Sequence, residues 1–256
     1  MHQILGEANR SILEQFAWSE VLLAFDFDGT LAPIVSEPGA ARMRSATRTL
    51  LEEVATRYPC VVISGRARED ARRRLAGIAV CDVSGNHGLE PGRDTARLER
   101  EVRRWRRLVE PRLAGHQGVL VEDKRFSIAI HYRLCRRKKE ALAAIQLAVA
   151  SLGEVRLIGG KQVVNVQPPG APHKGIALES LRSRFGCDTA IYVGDDETDE
   201  DVFGLDDPGR LLGIRVGARR ASAARYYLRN QREVDTLLRV LLSLRRRRED
   251  KRLAWP

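Results

Sequence analysis

The sequence is short of most signatures that would assign it to a specialised class. It has four cysteines, Cys60, Cys81, Cys135 and Cys187. No two form a CxxC pair, so neither a zinc site nor a disulfide framework is expected, and they read as small core residues. No apolar run approaches the roughly 18 to 20 residues of a membrane span. The start, Met1-His2-Gln3-Ile4, lacks the charged beginning and apolar middle of a secretion signal. There is no internal repeat and no low-complexity linker. With 43% hydrophobic and 30% charged residues, disordered, collagen-like and coiled-coil architectures are poor readings. The expectation is a soluble, cytoplasmic protein whose 256 residues suffice for one large core or two modest ones.

What is abundant is positive charge, a formal +10 from 44 Lys and Arg against 34 Asp and Glu. Such a balance suits nucleic acid, an anionic membrane surface or anionic small substrates. Much of it lies in arginine clusters on helical segments, where a solvated basic surface is the simpler reading. Arg245-Arg246-Arg247-Arg248 closes a terminal helix with the apolar stripe Val234, Leu237, Leu238, Leu241 and Leu242. Arginines there complement the helix dipole. Neither nucleic acid nor membrane is expected as a partner. Trp18, Trp105 and Trp255 are scattered and read as packing or surface residues.

Four short apolar runs end in polar or glycine-rich turns. They are Val21–Phe25 before Asp26, Cys60–Ile63 before Ser64-Gly65, Ala79–Cys81 before Ser84-Gly85-Asn86, and Ala190–Val193 before Gly194-Asp195. Between them the spacing turns helical, as at Leu50, Leu51 and Val54 and at Ile176, Leu178 and Leu181. Alternation of this kind predicts a doubly wound α/β fold with a parallel sheet, whose ligands bind beyond the C-terminal strand ends. The middle of the chain differs. Phe126, Ile128, Ile130 and Tyr132 alternate with Ser127, Ala129, His131 and Arg133, predicting a half-buried strand. Leu142, Ile145, Val149 and Leu152 offer it a helical cover, and Lys161 to Val166 reads as another strand. An inserted α+β unit over residues 95–170 follows, bounded by Pro91-Gly92 and Pro168-Pro169-Gly170. It splits the core into residues 1–94 and 171–256.

The sharpest chemical feature is Asp26-Phe27-Asp28-Gly29-Thr30, two carboxylates at the end of a buried strand. Such groups repel unless a cation lies between them or one is protonated. A hydrated magnesium ion with oxygen ligands resolves the conflict, leaving Asp26 to attack phosphorus and Asp28 to move the proton. Gly194-Asp195-Asp196-Glu197-Thr198-Asp199-Glu200-Asp201 packs six acids after another strand, which reinforces the metal reading. Ser64 with the Gly65 main chain, and Lys174 at a helix start, are the candidate holders of phosphoryl oxygens.

These segments resemble the haloacid dehalogenase superfamily of aspartate-nucleophile phosphatases, and within it the trehalose-6-phosphate phosphatase family. The likeness spans nearly the whole chain. It rests on Phe25–Leu31, Ile63-Ser64-Gly65-Arg66, Gly85-Asn86-His87-Gly88-Leu89-Glu90, Val121-Glu122-Asp123-Lys124, His131-Tyr132-Arg133, Lys174-Gly175 and Gly194–Glu200. The resemblance implies a phosphoric monoester hydrolase that uses magnesium, with a parallel-sheet core and a mobile α+β cap. It makes Asp26 the nucleophile, Asp28 the general acid/base, and Ser64 and Lys174 the phosphoryl clamp. Magnesium would be held by the Asp26 side chain, the Asp28 carbonyl and Asp195, with Asp196 and Asp199 at the edge. Arg66 would be a further contact to the phosphoryl oxygens of the substrate, the cap would present Glu122, Lys124 and Arg133 to the sugar, and His87 and Glu90 would approach it from the core. One departure stands out. In Gly160-Lys161-Gln162-Val163-Val164-Asn165-Val166-Gln167-Pro168, Asn165 occupies the position where the family uses a glutamate toward glucose hydroxyls. The resemblance implies trehalose 6-phosphate as substrate, but an amide both accepts and donates and carries no charge, so another sugar phosphate is the alternative substrate. A non-catalytic phosphosugar-binding protein is the remaining alternative, against which the set Asp26, Asp28, Ser64, Lys174 and Asp195 speaks. His131 reads as an imidazole bonded to main chain. A monomer or weak oligomer is expected.

Overall fold

The computed structural model describes residues 1–90, 95–160, 162–205 and 207–253. Pro91-Gly92, Lys161 and Trp255 lie outside the described residues. The helices are α1 (Arg10–Trp18), α2 (Ser45–Ala55), α3 (Arg68–Arg74), α4 (Thr95–Leu113), α5 (Lys138–Ala150), α6 (Lys174–Arg184), α7 (Glu200–Phe203) and α8 (Glu233–Leu253). The strands are β1 (His2–Gln3), β2 (Val21–Phe25), β3 (Cys60–Ile63), β4 (Asp82–Ser84), β5 (Leu120–Asp123), β6 (Ile128–His131), β7 (Arg156–Gly160), β8 (Val163–Gln167), β9 (Thr189–Gly194), β10 (Leu211–Val216) and β11 (Tyr226–Leu228).

Seven strands form an entirely parallel sheet in the order β1-β11-β10-β9-β2-β3-β4. All five β2 residues are buried, as continuous apolar character requires of a central strand covered on both faces. One face packs Leu23, Phe25, Val62 and Ile191 against α1, α2 and α8. The other packs Leu22, Ala24, Val61 and Tyr192 against α6 and α7. Strand order runs outward from β2 in one direction through β3 and in the other through β9. The switch point therefore lies between the C-terminal ends of β2 and β9, where such sheets bind ligands. Asp26 and Asp195 follow those two ends, and Asp26 N–H donates to Val193 O at 2.9 Å.

A second sheet, antiparallel in the order β5-β6-β8-β7, carries α4 and α5 on one face. Its apolar centre gathers Trp105, Val102, Val109, Ile128, Ile130 and Ile145, so Trp105 is a core residue. Ile145, Val149 and Leu152 are buried beneath it as expected, whereas Leu142 is only half-buried. The expected one-sided strand is buried on both faces: Ser127 and Ala129 are also covered. Their face turns toward the first sheet, where the Ser127 hydroxyl donates to Asn86 Oδ1 at 2.8 Å.

Several local expectations shift. The third core strand is Asp82–Ser84 instead of Ala79–Cys81, and Cys81 is exposed while the other three cysteines are buried. β4 is an edge strand, and Asp82 is drawn inside by ion pairs with Arg68 and Arg184, both at 2.8 Å. Ile176, expected on the apolar face of its helix, is 52% exposed. The arginine run does not close its helix, because α8 continues to Leu253. Arg245 lies over the Tyr58 ring at 4.2 Å, and Arg246, Arg247 and Arg248 pair with Glu53, Glu14 and Glu20. Those acids come from α1, α2 and the turn before β2, so the run ties the helical layer to the sheet. Among the described residues no helix is long and apolar enough to cross a membrane.

Candidate active site

A cleft of about 390 Å³ opens between the two sheets. Its floor comes from the core: Asp26, Asp28, Gly65, Arg66 and Asp195 from beyond the strand ends, and Lys174 from the start of α6. The second sheet contributes Glu122, Lys124, His131 and Asn165, and the loop Ile34–Glu37 with Leu120 and Leu134 adds apolar walls. Most of the residues expected at the site line this cleft; Ser64, Glu90 and Asp199 do not.

Lys174, only 1% exposed, begins α6 beneath the floor. Its ammonium donates to Asp26 Oδ1 at 2.9 Å and to Asp199 Oδ1 at 2.7 Å. Burial lowers a lysine pKa, but the two carboxylates outweigh it and raise this one. Burial raises the Asp26 pKa well above the usual carboxylate value, Lys174 opposes this, and Asp199, Asp195 and Asp28 add to it. Asp199 is fully engaged: Oδ1 also accepts from the Tyr192 hydroxyl at 2.6 Å and Oδ2 from Asp196 N–H at 2.8 Å.

The Asp28 carboxylate is held from the opposite side. Arg66 donates Nε to Oδ2 at 2.7 Å and Nη2 to Oδ1 at 2.6 Å, and its Nη1 reaches Asp70 at 2.9 Å. Thus the Asp26 and Asp28 charges, which the sequence sets two residues apart, each face a cation of the protein itself. The acidic run is likewise distributed. Glu197 pairs with Arg219, Glu200 with Arg215 and Asp201 with Arg156, while Asp196 Oδ1 caps the following turn by accepting from Glu197 N–H. Crowding of six acids therefore does not by itself demand a metal.

What supports an ion is narrower. Asp26, Asp195 and Asp199, all buried, each place one carboxylate oxygen within a single 4.8 Å cluster. Beside it Gly29 has φ +88°, and a Cβ there would stand 2.2 Å from Asp195 Oδ2, so only glycine leaves the Asp195 carboxylate its place. The donor set is hard oxygen, suited to a divalent ion such as magnesium. Asp199 is already engaged by Lys174, Tyr192 and the turn, so of the three Asp26 and Asp195 are the residues that could hold such an ion.

Opposite the floor, Lys124 Nζ donates to Gly65 O at 2.8 Å and approaches Asn165 Oδ1 at 3.4 Å, joining the second sheet to the first. Burial lowers its pKa. Glu122 accepts from His131 Nε2 at 2.7 Å; burial would raise its pKa, but this bond and the Lys124 charge bring it below the usual value. Arg133 donates to Val35 O at 2.5 Å, tying β6's end to the apolar wall.

The turn after β4 holds two successive residues with left-handed backbone, Asn86 (φ 49°) and His87 (φ 58°). Asn86 is completely buried and spends its side chain on both sheets, donating to Glu90 Oε2 at 2.9 Å and Lys124 O at 2.8 Å. His87 lines the cleft, and its pKa is lowered by burial, Lys124 and Lys174, with Asn165 opposing. Glu90, expected beside the sugar, anchors this turn, where it also accepts from Arg68 N–H at 2.6 Å. Ser64 is fully buried, and its hydroxyl accepts from Arg66 N–H at 3.2 Å.

Sequence reading did not single out Tyr192, Arg215 or the Ile34–Glu37 wall, and it assigned His131 to the main chain. A charged residue inside the otherwise apolar Leu211–Val216 was the available signal for Arg215.

A parallel sheet with two acids after its central strand, a third after the neighbouring strand and a buried lysine beneath them defines the haloacid dehalogenase-like phosphatase architecture. The trehalose-phosphatase family matches residues 24–231, and the chain belongs to that family. It is 31% identical over 251 residues to a probable trehalose-phosphate phosphatase of Oryza sativa subsp. japonica, covering 89% of this chain and 67% of that protein. It is 33% identical over 226 residues to a trehalose-phosphate phosphatase of Mycolicibacterium paratuberculosis, covering 80% of this chain but only 57% of that relative. In fold it is similar to the C-terminal domain of C. albicans trehalose-6-phosphate phosphatase, with TM-score 0.75, 22% identity, and coverage of 92% of this chain and 97% of that one.

Proposed function

We propose that this protein hydrolyses trehalose 6-phosphate to trehalose and phosphate through a phosphoaspartate on Asp26, in a reaction that requires Mg2+. The observation that carries the reading is the buried Lys174 bridging Asp26 and Asp199 directly under the cleft shared by both sheets. The family membership and the names of the relatives support it.

Lys174 holds one oxygen of Asp26, which orients the carboxylate as the attacking group. As the Asp26 oxygen bonds to phosphorus, the bond from phosphorus to the sugar oxygen breaks. Asp28 in its acid form gives that oxygen a proton, and free disaccharide leaves. The Asp28 carboxylate then takes a proton from water as the water oxygen attacks phosphorus, which releases phosphate and restores Asp26. Arg66 grips both Asp28 oxygens, so proton transfer requires this fork to open; an arriving phosphoryl group offers it another anionic partner. Asp26, the Asp28 carbonyl and Asp195 would hold the magnesium, which supplies charge neutralisation at the phosphoryl oxygens when bound. Asp196 supports the turn through its capping bond.

Residues 95–170 act in this reading as a cap on a core of residues 1–94 and 171–256, selecting the sugar with Glu122, Lys124, Arg133 and Asn165 while His87 reaches in from the core. Cap closure would exclude water during transfer. A cytoplasmic setting fits the free thiols at Cys60, Cys81, Cys135 and Cys187, and a monomer or weak oligomer suffices for the chemistry.

A second substrate, another phosphorylated sugar, is favoured by Asn165, whose amide oxygen faces Lys124 without a negative charge. Phosphate release over a panel of phosphorylated mono- and disaccharides with magnesium separates the two. Preference for trehalose 6-phosphate, lost with Asp26→Asn and with chelator, is the expected result. Preference for another sugar phosphate would replace the substrate, and full activity of the Asp26→Asn variant would remove the mechanism.

A further inference from the structure

Arg215 sits near the C-terminal end of β10, 5% exposed, in register with Gly194 of β9. Burying a guanidinium in a parallel strand carries a heavy desolvation cost unless polar partners meet it there. Here the turn that carries Asp195 meets both terminal nitrogens. Nη2 donates to Asp195 O, and Nη1 donates to Asp196 O at 3.1 Å and to Glu200 Oε1 at 2.7 Å. Glu200 is in turn fixed by Ala223 N–H at 2.8 Å.

The peptide unit between Asp195 and Asp196 is consequently gripped on both edges. Arg215 holds its carbonyl, and Asp199 Oδ2 accepts its N–H at 2.8 Å. The next carbonyl is held by the same guanidinium. With the planes that follow Asp195 held in this way, rotation of the main chain on that side of the residue is restricted, and with it the point from which its carboxylate departs. Only a planar fork bridges two successive carbonyls and a carboxylate in this way; an ammonium keeps the charge but not the span.

We infer that Arg215 is a positioning residue that sets the Asp195 carboxylate for divalent-ion binding; this rests on the reading of Asp26 and Asp195 as the ion ligands. It touches neither ion nor substrate and acts through the turn. Isothermal titration of magnesium chloride into the wild type and into Arg215→Lys, Arg215→Gln and Arg219→Gln tests it, with circular dichroism to verify the fold. Both Arg215 variants should bind magnesium about tenfold or more weakly, the usual cost of losing a partner that orients a ligand. The magnesium concentration for half-maximal phosphate release should rise in step, with KM for the sugar phosphate at saturating magnesium unchanged. Arg219→Gln, which loses only an exposed pair with Glu197, should bind as the wild type does. Should Arg215→Gln fail to fold, Arg215→Lys decides the matter. Wild-type affinity in Arg215→Lys overturns the inference, because charge alone would then suffice. Failure of the wild type itself to bind the ion overturns both this inference and the ion-ligand reading.

Discussion

Replacing Lys174 with methionine removes the ammonium and keeps much of the apolar stem. Three side chains share this contact: Lys174 is 1% exposed, Asp26 6% and Asp199 0%. Water therefore cannot take over the lost bonds, and two carboxylates 2.9 and 2.7 Å from the missing nitrogen are left facing each other. Removing one member of a buried ion pair costs about 3–5 kcal/mol. For a chain of this size each kcal/mol moves the melting temperature by about 2–4 °C, so a fall of about 6–20 °C is expected. Urea and thermal unfolding in chelator measure it without an ion standing in for the ammonium. The informative control is the double variant Lys174→Met/Asp199→Asn. If the cost comes from two abandoned charges, neutralising one should return about 1–3 kcal/mol, a coupling typical of contacting residues. A Lys174→Met variant within about 1 kcal/mol of the wild type, or strict additivity in the double variant, would refute the reasoning, since surface pairs alone behave that way.

Other consequences are equally accessible. Asp82 has its pKa raised by burial, but the bonds from Arg68 and Val83 N–H and the charges of Arg68 and Arg184 outweigh this and hold it below the usual value. Its stabilisation is therefore complete above the unfolded carboxylate pKa of about 3.9 and lost as pH falls through the folded value. Thermal melts should show Asp82→Asn about 1–3 kcal/mol less stable at neutral pH, with the gap closing in acid; a gap that does not change with pH would show that the charge of Asp82 is not what stabilises. Trp105→Ala, at the fully buried centre of the second sheet, should cost about 3–5 kcal/mol in urea unfolding. Arg246→Gln, Arg247→Gln and Arg248→Gln should each cost no more than about 1 kcal/mol and leave phosphate release unchanged, because at least one partner in every pair is well exposed. Arg245→Met, which loses the stacking on Tyr58, should cost more than any one of them in the same melts.

The parts of the fold legible in the sequence are those written in apolar residues. Val21–Phe25 and Ala190–Val193 lie side by side, and their terminal acids mark the switch point. Periodicity cannot see burial achieved by charge, which is why it places β4 three residues early, at Ala79–Cys81, and leaves Asp82 outside the strand. β5 and β7 went unread for the converse reason: Leu120 and Leu157 are exposed, and β7 ends in two glycines. At the site, residue type identified Asp26, Lys174 and Asp195 as candidates. Their surroundings were out of reach, because Arg156 and Arg215 come from distant positions whose approach to the acidic turn depends on how the strands are ordered. The same limit made six acids look like an unrelieved charge, when four of them meet a lysine or arginine from elsewhere in the chain.

The left-handed pair Asn86 and His87 sets durability against grip. L-residues pay about 1–2 kcal/mol each for that backbone, and glycine would relieve it. A laboratory selection for heat resistance would be drawn to these two positions, yet a glycine at 86 would sever the hydrogen bonds that Asn86 gives to Glu90 and to the Lys124 carbonyl. The turn is a tensioned knot between the sheets, and hardening the protein by easing it would untie them.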